Sequence, residues 1–103
     1  MKLNYTENLC GYCPIQAEGL TEDGLPWYFR ARDSVSLTIG KGTKTKSGDT
    51  LHPLDDTLIE IDDEQIPFES EDYPGWSEFE YCEQWIIKAL EYFKNKQNES
   101  KNE

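Results

Sequence analysis

Between Ser77 and Lys96, apolar side chains return every three or four residues, and that spacing predicts one long amphipathic helix. Phe79, Cys82, Ile86, Ala89, Leu90 and Phe93 fall on one stripe of a 3.6-residue period, which Trp85 and Tyr92 widen. Glu80, Glu83, Glu91 and Lys94 fall on the opposite side. The start is marked by a capping box, Ser77 with Glu80, and by Trp76 and Tyr81 at the positions of a hydrophobic staple. Pro74 and Gly75 break the chain just before it. A helix of this length is marginal in water without a partner. The stripe therefore demands a second apolar layer.

Four alternating runs supply that layer. From Pro14, Ile15 and Ala17 face one way and Gln16 and Glu18 the other. From Pro26 to Arg32, Trp27, Phe29 and Ala31 share a face, with Tyr28, Arg30 and Arg32 opposite. Val35, Leu37 and Ile39 form a third run, and Ile59 and Ile61 a fourth between Thr57 and Asp62. Face parity also chooses the turns. A two-residue Asp23-Gly24 turn would set Glu18 against Phe29 and mix polar with apolar. A three-residue loop of Glu22, Asp23 and left-handed Gly24 pairs Ala17 with Phe29 and Ile15 with Ala31. The same test selects a loop of Arg32, Asp33 and Ser34, pairing Ala31 with Val35 and Phe29 with Leu37.

The remainder is less patterned. Residues 1–13 read as irregular, with Tyr5, Leu9 and Tyr12 as anchors, and residues 40–56 as a long mobile loop. Ile66 and Phe68 are able to return as a short fifth strand, where Pro67 suits an edge. Residues 97–103 read as a frayed tail. The expected fold is a single α+β domain over residues 1–103. Its two layers are an antiparallel sheet of four or five strands within residues 14–69 and a helix over residues 76–96. The second face of the sheet is left open.

The net charge of −11 is unevenly distributed. Residues 47–87 hold thirteen acidic side chains and no Lys or Arg, while the flanking segments are each balanced to within one charge. Such a surface repels nucleic acids and anionic membranes and attracts basic proteins. Solubility alone also accounts for acidic composition. No run approaches the length of a membrane span, and Met1 to Asn8 lacks the apolar core of a secretory signal. With an odd cysteine count, three, a reducing cytoplasm is the expected location.

Motifs for chemistry are sparse. Cys10 and Cys13 form a CxxC, but Pro14 follows where redox use requires a helix N-terminus. With His52 and Cys82 they make up a zinc ligand set in kind, against which stands the place of Cys82 on the helix's apolar stripe. Gly40 to Lys44 lacks the phosphate-loop spacing, the carboxylates lack the EF-hand order, and one His leaves little room for a catalytic triad. The expected protein is non-enzymatic and free of cofactor. It uses Asp55, Asp56, Glu60, Asp62, Asp63, Glu64, Glu69, Glu71 and Asp72 to bind a basic protein, as an inhibitor or immunity-like factor would. Tyr28, Arg30 and Arg32 form a second candidate surface. The alternatives are a zinc-stabilised module on Cys10, Cys13, His52 and Cys82, and a soluble structural or housekeeping protein.

Overall fold

A computed structural model describes residues 3–11, 14–32, 34–68 and 78–101. The strands are β1 (Asn4–Cys10), β2 (Ile15–Leu20), β3 (Pro26–Ala31), β4 (Val35–Gly40) and β5 (Thr57–Asp62), and the helix is α1 (Glu78–Lys101). The five strands form one antiparallel sheet in the order β1-β2-β3-β4-β5. α1 covers one face of it, called inner here. The expected two-layer α+β fold is the observed one.

Both hairpin registers follow face parity. Ala17 lies opposite Phe29 and Ile15 opposite Ala31, and Ala31 opposite Val35 and Phe29 opposite Leu37. Gly24 is left-handed, with φ of 85°, and its N–H donates to Thr21 O at 2.9 Å. A residue with a Cβ would be strained there. The alternative register would have turned Phe29 to solvent.

The inner face and the helix stripe together enclose the core. Ile15, Ala17, Trp27, Phe29, Val35, Leu37, Ile39 and Ile61 meet Cys82, Trp85, Ile86, Ala89, Leu90 and Phe93. Trp85 is 3% exposed, and its ring centre lies 5.7 Å from that of Phe29. Its indole N–H donates to Ile66 O at 2.8 Å. This bond ties the chain leaving the sheet to the helix.

Four expectations need correcting. The fifth strand is β1, inside the stretch read as irregular, and Ile66 to Phe68 form no strand. In β1 the charged Glu7 sits between the half-buried Tyr5 and Leu9, and two register shifts against β2 interrupt the alternation. Bulges of this kind erase the period that identifies a strand. Phe79 is 40% exposed, because periodicity gives the apolar face of a helix but not where along its length the sheet begins. Burial starts only at Tyr81 and Cys82. α1 continues to Lys101 rather than stopping at Lys96, as the intervening residues include no Gly or Pro to end it. The cap at Trp76 and Ser77 lies outside the described residues.

The loop of residues 40–56 is organised by its own hydrogen bonds. Lys44 and Thr50 bridge across it as an isolated β-pair and again through Lys44 Nζ and Thr50 Oγ1. Thr45 N–H donates to Asp49 O at 2.7 Å, and Asp56 Oδ2 accepts from Thr43 N–H at 3.0 Å. Ser, Thr, Asp and Gly make local bonds that need no apolar anchor. Low apolar content therefore does not imply mobility here. The loop ends in a 3-10 turn, Pro53–Asp55, which packs on β3 and β4. Part of the outer face is thereby covered.

Burial on the inner face fixes a pH dependence. Burial first, and then the Glu78 charge, push the Cys82 thiol from 9.0 up to about 11. Between those values the unfolded chain has released a proton that the folded chain retains, so stability falls as pH rises through this window. Tyr5 adds a contribution of the same sign. Burial, and then the Glu83 carboxylate that accepts its O–H at 2.8 Å, hold its phenol above the ordinary range. Urea unfolding of Cys82→Ala should therefore show a shallower loss between pH 9 and 11 than the parent chain. Identical slopes would place the thiol in contact with water.

Candidate functional site

Six of the described carboxylates of the acidic segment line one strand and its flanking turns, while Asp49 lies in the preceding loop and Glu78, Glu80 and Glu83 on α1. Asp55 and Asp56 precede β5, Glu60 and Asp62 lie on its outer face, and Asp63 and Glu64 form the turn that follows. They do not all have the same role. Asp56 caps the loop through Thr43 N–H, and that bond, reinforced by the Lys41 charge, holds its carboxyl below the ordinary carboxylate range. Asp62 Oδ1 accepts from Glu64 N–H at 2.9 Å and so closes the turn. Both are structural groups before they are anything else. Asp55, Glu60, Asp63 and Glu64 are exposed, and none has a basic partner among the described residues. The expected Glu69, Glu71 and Asp72 lie outside the described residues.

Two ion pairs among the described residues lie away from this row. Lys94 pairs with Glu22 at 3.3 Å, joining α1 to the β2–β3 turn. Glu18 meets His52 Nε2 at 3.2 Å. Leu54 and Leu58, 58% and 46% exposed, stand among the β5 carboxylates. The edge is thus acidic with apolar interruptions.

The second candidate surface divides. Tyr28 is half-buried, donates its O–H to Gln16 Oε1 at 2.6 Å and packs its ring 5.0 Å from His52. It is occupied, and no base could stack on it without displacing the loop. Arg30 and Arg32 are exposed beside Ser34 and Ser36 in a shallow cleft. Neither arginine makes an ion pair or stacks on an aromatic ring among the described residues.

The zinc set is not brought together. Cys82 is buried beneath the helix on the inner face, whereas His52 sits on Tyr28 on the outer face, with the sheet between them. Cys10 is exposed on β1 and Cys13 lies outside the described residues. Both ring nitrogens of His52 are also committed. Nδ1 accepts from Leu54 N–H at 3.1 Å, and Nε2 faces Glu18. Nδ1 is therefore the unprotonated nitrogen and Nε2 the donor. His52 clasps the loop to the sheet. The His52-Pro53 pair was the available signal, since Pro favours the first position of a helical turn and the residue before it becomes the cap.

No family model, curated protein or solved structure matches the chain. Among the described residues no group of three or more His, Cys, Asp or Glu is placed to hold a metal ion. No helix among them is long and apolar enough to cross a membrane. The feature with the strongest physical character is the acidic edge at β5.

Proposed function

We propose that this is a small non-enzymatic interaction protein that binds a basic surface of another protein along β5 and the turns at its two ends. The observation that supports it is the row Asp55, Glu60, Asp63 and Glu64, exposed and without a basic partner among the described residues. Carboxylates kept only for solubility have no reason to collect in one continuous segment. Collected, they create a field that raises encounter rates with a basic partner and weakens as salt screens it. A factor that covers a basic active site fits this size and charge. The free thiols Cys10 and Cys82 suit a reducing compartment such as the cytoplasm.

The test is a charge-neutralised variant, Asp55→Asn, Glu60→Gln, Asp63→Asn and Glu64→Gln, which spares the structural Asp56 and Asp62. Its urea midpoint should match that of the parent, because exposed unpaired charges add little to folding. Used as baits in extracts of the source cells, the two proteins should differ. The parent should retain a basic protein whose association is at least about tenfold faster at low salt than that of the variant. Equal association rates for parent and variant at about 50 and 500 mM salt would reduce the acidic edge to a solvated surface.

A further inference from the structure

Hydrogen-bond parity shows which way each residue of β5 directs its backbone. At the closed end of the β3–β4 hairpin, Arg32 N–H donates to Ser34 O at 3.1 Å. Bonded and non-bonded pairs alternate along an antiparallel ladder, so Arg30 with Ser36 and Tyr28 with Thr38 are bonded pairs in the observed register. The odd residues of β4, Leu37 and Ile39, must then face β5, where they lie opposite Ile61 and Ile59. Glu60 and Asp62 consequently turn their N–H and C=O groups away from the sheet. Asp62 bears this out. Its N–H donates to Gln65 Oε1 at 3.0 Å, and its carbonyl accepts from Gln65 N–H at 3.2 Å and Ile66 N–H at 3.1 Å. Glu60 has no backbone partner among the described residues.

The two edges of the sheet are therefore different. β1 is broken by two register shifts against β2, and irregular edges template poorly. β5 is regular from Ile59 onward and carries no Pro and no Lys. Its outward peptide groups at Glu60 lie beside exposed Leu58 and between acidic turns.

We propose that β5 accepts an extended basic segment of a partner protein as a sixth strand, bonded through the Glu60 N–H and C=O. This rests on the acidic-edge reading above and specifies how the partner is held. Charge selects the occupant. A second copy of this chain pairing two-fold about Glu60 would set carboxylate against carboxylate, which opposes the pairing. A strand with Lys or Arg on the outer face meets Glu60 and Asp62 instead, and its alternate residues extend the inner face beside Ile59 and Ile61. The recognised pattern is alternating basic and apolar. The backbone supplies the affinity and the alternation supplies the specificity.

The probe is a terminally blocked peptide of alternating Lys and Val. Its control carries the same sequence with backbone N-methyl groups on the residues that would bond to β5. Wild-type protein should bind the parent peptide at least tenfold more tightly than the N-methylated one, and the Glu60 amide should become protected from hydrogen exchange. Glu60→Gln should weaken binding through charge alone. Glu60→Pro should weaken it at least a further fivefold, since it removes an N–H that β4 does not use. Should Glu60→Pro fail to fold, the comparison of peptides on the wild-type chain still decides. Equal affinity for the two peptides would overturn strand addition while leaving the acidic-edge reading intact. No binding of either at low salt would remove both. Protection of the Glu60 amide in a dimer of the protein alone would assign the edge to a second copy and overturn the proposal.

Discussion

Replacing Trp85 with alanine should destabilise the protein by roughly 3 to 5 kcal/mol, the usual range for emptying a large aromatic site in a core. The upper part of that range is expected. Trp85 is 3% exposed and its ring lies against Phe29, so a cavity would open between the helix and the middle of the sheet. The indole also satisfies Ile66 O at 2.8 Å. Truncation removes that donor as well as the packing, and an acceptor left without a partner carries a further cost. Urea unfolding measures the loss as a shift in midpoint at constant slope. A loss below about 1 kcal/mol would mean that the helix is not held to the sheet at this point.

Gly19→Ala should be nearly as damaging, by about 3 kcal/mol, although it adds a single methyl group. Gly19 is buried on β2, opposite Trp27 on one side and Tyr5 on the other. A Cβ built there would overlap two ring carbons of Trp27 and the carbonyl oxygen of Asn4. The first obstacle is a fully buried ring and the second is backbone. Neither yields without moving β1 off β2, so hydrogen exchange should quicken across β1 first. Trp27→Phe made in the same chain shortens the ring at the point of overlap. The double variant should recover part of the loss, a coupling that a double-mutant cycle reads directly. Additive effects would place the obstruction at Asn4 alone.

Much of the sheet was legible because its period and its faces are redundant. Ala17, Phe29, Leu37 and Ile61 lie on one side in the only registers that bury them together, and a slip of one residue would expose them all. β1 was not legible, since Glu7 and two bulges remove the alternation that marks a strand. The apolar stripe of the helix matches its buried face from Cys82 onward but not at Phe79, which is 40% exposed. The acidic edge was legible as a charge imbalance, which needs no structure to be counted. The division of labour within it was hidden. Asp56 is spent on Thr43, thirteen positions away, and Asp62 on the turn that ends its own strand. Their partners are backbone N–H groups, and backbone groups leave no trace in a sequence. The same holds for His52, whose clasp depends on Leu54 N–H and on a carboxylate three strands earlier in the chain.

The order of the elements sets the order in which the molecule can assemble. Each strand pairs with its neighbour in sequence, so the whole sheet can form by successive local closures while α1 is still being synthesised. During that interval Trp27, Phe29 and Leu37 have no cover, and a nascent sheet with a bare apolar face and a regular β5 edge is prone to join its neighbours on other ribosomes. The acidic residues of β5 and its turns emerge just before the helix. They are in place to repel other nascent chains during the one interval when the core has no lid.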